Sequence, residues 1–261
     1  MLGIFDSGIG GLTVVKELLR RHADVGFVYL GDTARTPYGN KSPDTIRRYA
    51  VEDARFLVEK GATTILVACN TVSAVAMEKL RQTFPTITFF EVITPAVEAA
   101  VSQVVSRKSQ GVVGVIGTRA TIQSGVYERE ILRLATYNLR VISAACPLFV
   151  PLVEENWMDK SETKRIARTY LEPIRRQQVD TLILGCTHYP LLINVIRSSL
   201  QKRVKIIDSP SALIDIVERD AGNELSKGKQ EYYFTDPSNT VNMIAARWLG
   251  KRINGELAEL I

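Results

Sequence analysis

Two cysteines occupy equivalent positions in two similar segments of this sequence. ILVACNTVSAV (65–75) and LILGCTHYPLL (182–192) align without a gap, which places Cys69 over Cys186. Each cysteine ends an apolar run and stands where a helix is expected to begin. Because backbone N–H groups at a helix start favour an anion, a thiolate is stabilised at such a position. The repeat therefore predicts that two copies of one α/β unit each present a reactive thiol to a shared cleft.

Each thiol has a candidate acid/base partner nearby. Asp6 ends the first expected strand, in FDSGIGG, and a carboxylate beside a cleft cysteine can hydrogen-bond the thiol or hold its proton. His188 follows Cys186 by two residues, and histidine is the usual activating partner of a thiol. Such activation is needed because a free thiol with a pKa of about 8.5 is mostly protonated at neutral pH. We predict the pairs Asp6 with Cys69 and His188 with Cys186.

The third cysteine, Cys146, precedes Pro147 and is interpreted as a packing residue at a strand end. Glu154, in the helix that follows, is a further candidate for the cleft. No two cysteines have C-x-x-C spacing, and no third and fourth ligand follow at metal spacing, so neither a zinc site nor a disulfide scaffold is expected. Oxidation of two opposed thiols as a redox pair remains an alternative.

Neutral hydrogen-bond donors dominate the expected cleft. The segment GIGG (8–11) lacks the third glycine of a G-x-G-x-x-G dinucleotide motif, and Asp6 just before it would repel a phosphate. The hydroxyl and amide donors near the strand ends are Ser7, Asn70, Thr71, Thr118, Thr121 and Thr187. Lysine and arginine are scarce there, which favours a small carboxylate or an amino acid over a nucleotide.

Strands alternate with helices along the chain. The apolar strands show little internal alternation, so helices are expected on both faces of a mainly parallel sheet. Strands are predicted at 2–6, 25–30, 63–68, 86–91, 111–117, 139–145, 180–185, 204–208 and 230–236. In such sheets the functional loops lie at the carboxyl ends of the strands, and all three cysteines fall in those loops.

Helices are predicted between these strands. Ser42 is expected to cap one of them, with Pro43 at its first position. The polar loop 31–42 before it is a candidate lid or wall of the cleft. Helices are predicted at about 12–22, 43–59, 71–83, 95–107, 121–134, 149–157, 161–177, 190–200 and 238–250, and another begins at 209–211.

A second repeat supports a two-domain organisation. GIFDSG (3–8) resembles GVIGTR (114–119), so the two half-chains are expected to share a topology. We predict a first domain from residues 1–94 plus 208–261 and a second from residues 95–207. The predicted fold class is α/β, with two pseudo-symmetric domains, mainly parallel sheets flanked by helices, and the active site in the cleft between them.

Composition excludes several classes of protein. With 46% apolar and 23% charged residues among 261, the chain is an ordinary globular protein. The net charge of +5 is mild and the basic residues are scattered, so no nucleic-acid partner is expected. No apolar run reaches about 18 residues, so no membrane span is expected. No signal peptide is visible, and we expect a cytoplasmic protein with free thiols.

Together these motifs resemble the glutamate racemases of bacterial peptidoglycan synthesis, over nearly the whole chain. The matching segments, in order, are FDSGIGGL (5–12), LGDT (30–33), PYG (37–39), ACNT (68–71), GT-x-AT (117–121), CPLFVPLVE (146–154) and LGCTHYPLL (184–192). Thr-His after the second cysteine is similar to glutamate racemases, whereas aspartate racemases usually carry Thr-Glu there.

The resemblance implies racemisation without a cofactor. One thiolate removes the α-proton of glutamate, and the opposite thiol delivers a proton to the other face. By resemblance, Cys69 acts on D-glutamate and Cys186 on L-glutamate, and Asp6 and His188 assist as further catalytic residues. Substrate binding is implied for Asp6, Ser7, Tyr38, Gly39, Asn70, Thr71, Thr187 and His188, with Thr118, Thr121 and Glu154 as further candidates.

The resemblance also implies a homodimer. Three alternative functions stay open on the sequence. The substrate of the same chemistry could be aspartate or a hydantoin. A non-catalytic binding or regulatory protein could be built on the same fold. A dithiol redox protein would need the two cleft thiols within disulfide distance.

Overall fold

The computed structural model describes residues 1–105, 110–135 and 138–260, and it contains two parallel sheets. The strand order is β10-β9-β2-β1-β3-β4 in the first sheet and β6-β5-β7-β8 in the second. The strands are β1 (Leu2–Asp6), β2 (Phe27–Gly31), β3 (Thr64–Val67), β4 (Thr88–Glu91), β5 (Gln110–Gly117), β6 (Asn138–Ala145), β7 (Thr181–Gly185), β8 (Lys205–Asp208), β9 (Gln230–Phe234) and β10 (Gly255–Leu257). The predicted α/β fold class is confirmed.

Helices cover the faces of both sheets. They are α1 (Leu12–Arg21), α2 (Pro43–Glu59), α3 (Asn70–Val75), α4 (Met77–Thr83), α5 (Ile93–Val105), α6 (Arg119–Gln123), α7 (Val126–Leu134), α8 (Phe149–Glu154), α9 (Ser161–Arg176), α10 (Ile193–Ser198), α11 (Ser209–Ala221) and α12 (Asn239–Leu249). The predicted cap of α2 is confirmed, since the Ser42 side chain accepts a hydrogen bond from the Thr45 amide with Pro43 at the first helical position. Within the described ranges, no helix is long and apolar enough to cross a membrane.

The first sheet is built around β1, which lies between β2 and β3. All five residues of β1 are buried, because helices cover it on both sides. The register pairs Asp6 with Gly31 and Phe5 with Val67, so β1 and β3 end almost level. The loops that follow β1 and β3 therefore start side by side.

The second sheet repeats this arrangement around β5. Gly117, the last residue of β5, pairs with Ala145 on one side and with Gly185 on the other. The loops that begin at Cys146 and Cys186 therefore also start at the same level.

The chain passes from the first sheet to the second through α5 and returns through α11, and these two helices pack against each other. Afterwards β9 pairs with β2, and β10 adds outside β9. A single cluster of buried apolar side chains extends across both sheets. We propose the domain division 1–94 plus 208–261 and 95–207, which assigns each sheet to one domain apart from Asp208, the last residue of β8.

Several predicted helices are divided in the structure. The stretch 71–83 forms α3 and α4, which meet at Ala76. The stretch 121–134 forms α6 and α7, because Gly125 has a φ of 66°, which a right-handed helix cannot accommodate. The stretch 190–200 opens with a 3₁₀ turn, Tyr189–Leu192, before α10.

Other boundaries differ by smaller amounts. The helix predicted at 149–157 is shorter, since α8 ends at Glu154 and Asn156 takes a φ of 58°. The capping residue of α11 is Asp208, which accepts from the Ser211 amide at 2.9 Å. Strand β10 was not predicted. The end of the helix predicted to residue 107 lies outside the described residues.

Candidate active site

Cys69 caps the start of α3, two residues after β3 ends. It is 4% exposed. Its thiol lies 3.1 Å from the Ser7 hydroxyl, and the Val72 amide donates to the sulfur at 3.5 Å. Burial, and next the charge of Asp6, raise the pKa of the Cys69 thiol to about 12. The backbone amides of Val72 and Ser7 lower the pKa of Cys69, which favours the thiolate, but burial outweighs them.

Asp6, the last residue of β1, joins the two halves of the site. It is 1% exposed, and it accepts hydrogen bonds from the backbone amides of Gly8 and Gly11. The Thr187 hydroxyl, from the other half, lies 3.4 Å from its Oδ1. Burial raises the pKa of Asp6, although the charge of His188 opposes the shift. The Asp6 carboxyl group thus contacts the loop that carries Cys186, whereas only a pairing with Cys69 was predicted.

His188 lies between Cys186 and Glu154. Its Nδ1 is 3.9 Å from the Cys186 sulfur, and its Nε2 is 3.0 Å from Glu154 Oε1. Burial lowers the pKa of His188, but the contacts with Cys186 and Glu154 outweigh burial and raise the pKa to about 10. The Trp248 ring packs edge-to-face against the His188 ring, with ring centroids 5.4 Å apart. Glu154 therefore reaches the site through His188.

Three threonine hydroxyls meet where the halves face each other. Thr71 Oγ1 lies 3.0 Å from Thr118 Oγ1 and 3.3 Å from Thr121 Oγ1. Thr118 and Thr121 lie 3.0 Å apart. Nearby, the Tyr127 hydroxyl of the second half donates to Asn70 Oδ1 of the first at 2.6 Å. These contacts bring the predicted donors Asn70, Thr71, Thr118 and Thr121 together where the two halves meet.

Tyr38 is placed differently from the other predicted residues. Its side chain is fully buried, and its hydroxyl contacts the carboxylates of Asp32 and Asp53. A side-chain contact between Tyr38 and a substrate in the cleft is therefore not available in this arrangement. Gly39, next in the chain, does face the second half, where Thr118 is its neighbour. Any contribution of Tyr38 to binding must come from its backbone.

A cavity of about 410 Å³ lies between the two halves, and Gly39, Thr118 and Glu154 are the predicted site residues that line it. Its other lining residues include Thr36, Pro37 and Asn40 on one side and Pro147, Leu148, Val150 and Pro151 on the other. Glu154 is the hydrogen-bond partner of His188. The size suits a small molecule. The loop 31–42 thus forms a wall of this cavity, which is one of the two roles predicted for it.

The three cysteines are free thiols. Cys146 is fully buried, burial raises its pKa, and its sulfur lies 3.7 Å from the Ala144 carbonyl, which fits its interpretation as a packing residue. Within the described ranges, no three His, Cys, Asp or Glu side chains cluster as metal ligands would.

Sequence reasoning missed two residues near the site, Tyr127 and Arg35. Tyr127 lies in the amphipathic helix α7, where a single aromatic residue looks like any core residue. Arg35, in the polar loop 31–42, contacts Asp32, Glu52 and Asp53. Neither carries a local sequence signal, because each depends on partners far away in the chain.

Comparisons with known proteins agree with this geometry. Residues 12–217 match the family model described as Asp/Glu/Hydantoin racemase. The chain belongs to the Asp/Glu/hydantoin racemase family. Among its relatives, a glutamate racemase from Geobacter metallireducens is 45% identical over 258 residues, which cover 97% of this chain and 93% of that protein.

Solved structures of racemases have the same architecture. A glutamate racemase from Bacillus anthracis superposes with a TM-score of 0.91 at 35% identity, covering 100% of this chain and 97% of that one. A glutamate racemase from Francisella tularensis, solved in complex with D-glutamate, gives a TM-score of 0.88 at 33% identity and covers 99% of this chain and 97% of that one. The racemase fold therefore extends over the full length of this chain.

Proposed function

We propose that this protein is a glutamate racemase that interconverts L- and D-glutamate without a cofactor. The observation that carries the proposal is the presence of two buried thiols at the ends of β3 and β7, the corresponding strands of the two sheets. Each thiol has an acid/base group nearby, as inversion at one carbon through two opposite faces requires. The relatives named above support glutamate as the substrate.

The two sides of the site differ in protonation in a way that suits one half-reaction. His188, whose pKa is raised to about 10, is an imidazolium at neutral pH, and its Nδ1 lies 3.9 Å from the Cys186 sulfur. Cys69, whose pKa is raised to about 12, is a neutral thiol. Cys186 then removes the α-proton of L-glutamate, and Cys69 delivers its proton to the opposite face to give D-glutamate. The reverse reaction begins with Cys69 as the thiolate.

Stabilising the developing carbanion is the difficult step, because an α-proton next to a carboxylate is weakly acidic. Oriented hydrogen-bond donors and the exclusion of water lower this barrier. The proposed donors to the substrate are Ser7, Asn70, Thr71, Thr187 and the backbone of Tyr38 and Gly39, with Thr118 and Thr121 beside them. Asp6 and His188 complete the site on either side. Both cysteines are at most 6% exposed, so water is largely excluded from the sulfur atoms.

The experiment is incubation of the purified protein in D₂O with each glutamate enantiomer and no added cofactor. We expect inversion with solvent deuterium at Cα. Cys69→Ser and Cys186→Ser should each lower the racemisation rate by about 1,000-fold or more, since either change removes one acid/base group. Cys146→Ser is the matched control and should retain the rate. Unchanged racemisation in both single variants would rule out the two-thiol mechanism.

The same assay with aspartate and with a hydantoin tests the alternative substrates, and turnover of either above that of glutamate would replace the proposal. A non-catalytic protein would give no inversion at all. By family resemblance, the D-glutamate formed would serve peptidoglycan synthesis in the cytoplasm, and the protein would be a homodimer. Light scattering on the purified protein measures its oligomeric state.

A further inference from the structure

One buried donor beside Cys69 lacks a hydrogen-bond partner in the described ranges 1–105, 110–135 and 138–260. Asn70, the residue after Cys69, is 2% exposed, and its Nδ2 has no hydrogen-bond partner among the described residues. A buried amide N–H₂ without an acceptor is destabilising, so it is normally paired in the working state of a protein. Glutamate carries two carboxylates, which are strong acceptors for such a donor.

The oxygen of the same carboxamide is held by the second half of the molecule. Tyr127 donates to Asn70 Oδ1 at 2.6 Å. Ser209 lies 3.5 Å from the same oxygen, while its closer hydrogen bond, at 2.8 Å, goes to the Leu184 carbonyl. Tyr127 is therefore the main donor to Oδ1. Because the amide is planar, fixing its oxygen on Tyr127 also fixes the direction of its N–H₂ group.

Tyr127 is itself firmly positioned. It is 2% exposed, and burial raises the pKa of its hydroxyl, so the hydroxyl stays a neutral donor at any working pH. Its ring packs on the backbone of Gly185, the residue before Cys186, where a Cβ atom would come within 3.0 Å of Tyr127 Cε2. The side chain thus contacts the loop of one thiol through its ring and the loop of the other through its hydroxyl.

We infer that Tyr127 is a positioning residue, whose hydroxyl holds the Asn70 carboxamide with its N–H₂ group turned toward the cleft to bind a carboxylate of glutamate. The inference rests on the proposed racemase function. It assigns to a residue of α7 a part in substrate binding that is exerted through Asn70. It also makes that binding depend on the contact between the two halves, since Tyr127 belongs to one half and Asn70 to the other.

The first test is Tyr127→Phe, which removes one oxygen and keeps the ring on Gly185. We expect KM for both enantiomers to rise by about 5- to 20-fold, as the loss of an oriented hydrogen bond to a charged group would produce, with a smaller change in kcat. Tyr232→Phe is the matched control. Tyr232 is buried, its hydroxyl has no partner among the described residues, and its removal should leave KM within about twofold.

A double-mutant cycle separates positioning from simple packing. Asn70→Ala should raise KM, and adding Tyr127→Phe to Asn70→Ala should raise it by less than about twofold more, because the oriented amide is already gone. Multiplying effects in the double variant would overturn the inference, as would an unchanged KM in Tyr127→Phe.

A measurement on the unaltered protein does not depend on how the variants fold. D-glutamate should shift the side-chain ¹⁵N–¹H resonances of Asn70, assigned by their absence in Asn70→Asp. An Asn70 amide that does not respond to saturating D-glutamate would overturn the inference while leaving racemisation intact. Failure of the unaltered protein to racemise glutamate would overturn the proposed function and this inference together.

Discussion

The sulfur atoms of Cys69 and Cys186 lie in different electrostatic environments. Cys69 has a serine hydroxyl, a backbone amide and the Asp6 carboxyl group around it, and burial dominates its pKa. Cys186 has an imidazole that is held by a carboxylate on its other side. The type of chemistry at the site could be predicted from the sequence, because cysteine, aspartate and histidine are common acid/base residues. The balance between burial and local charge was not predictable, since it depends on how closely the two halves approach.

This difference predicts a pH dependence that can be measured in a variant that lacks Cys186. In Cys186→Ser, thiolate absorbance near 240 nm should stay low up to about pH 10, because the pKa of Cys69 is raised to about 12 and burial also raises that of Cys146. A raised thiol pKa favours the protonated form in the folded state. Its contribution to stability is therefore complete below the unfolded value near 9 and is lost as the pH rises through about 12. Strong thiolate absorbance at pH 8 in this variant would contradict the assignment.

A second prediction concerns His188. The variant His188→Asn should lower kcat from L- to D-glutamate by about 100-fold and kcat in the reverse direction less, because the histidine assists Cys186. Since the two enantiomers are equally stable, kcat/KM must fall equally in both directions, and only the separate kcat and KM values are informative. His22→Asn is the control, because His22 lies far along the chain on α1's end and pairs with Glu218 at 2.7 Å. Equal losses of kcat would remove His188 from the Cys186 side.

At the level of elements, the loop 31–42 is held to α2 by a cluster of charged side chains. Arg35 contacts Asp32, Glu52 and Asp53, and the Tyr38 hydroxyl contacts the first and the last of these carboxylates. The Tyr49 ring lies 4.0 Å from the guanidinium carbon. Burial and the charge of Asp32 raise the pKa of Asp53, which favours a proton on one of the crowded carboxyl groups. The cavity wall is thus held from the side of α2.

This cluster predicts that two substitutions will change the free energy of unfolding by very different amounts. Arg35→Met should lower the free energy of unfolding by about 3 kcal/mol, because it leaves buried carboxylates without their cation. Asp53→Asn should change it by less than about 1 kcal/mol, since asparagine can accept from Arg35 and donate to the Tyr38 hydroxyl oxygen. Arg47→Met, which breaks an exposed pair with Asp44 on the same helix, is the control and should cost less than about 0.5 kcal/mol. Urea unfolding of the three variants measures these changes, and a cost in Asp53→Asn as large as in Arg35→Met would contradict the argument.

The strands and most helices could be predicted from the sequence, because apolar runs and caps such as Ser42 are local signals. The division of the stretch 121–134 at Gly125 was missed, since a lone glycine in a helical pattern does not reveal its φ. The 3₁₀ turn before α10 was missed for a similar reason. Its consequence is that Cys69 caps an α-helix, whereas Cys186 is followed by a tighter turn, and the repeat is not symmetric at its two most important positions.

At the scale of the whole molecule, the second sheet is inserted between two parts of the first. The chain enters it through α5 and leaves it through α11, and β9 and β10 then extend the first sheet beyond β2. The internal repeat pointed to two related units. The pairing partner of the last strands could not be derived, because an edge strand such as β10 carries only three residues and little pattern.

His188 lies between the Cys186 thiol and the Glu154 carboxylate, on the Cys186 side of the site. This asymmetry has a kinetic consequence. Each turnover by the proposed mechanism moves one proton from one sulfur to the other, so the protein that releases D-glutamate is not the protein that bound L-glutamate. Which sulfur carries the proton then depends on the last enantiomer released, until the proton returns through solvent or a reverse turnover. With only one sulfur paired to an imidazolium, the two forms differ in energy, and at high substrate concentration the return between them can become the slowest event in the cycle.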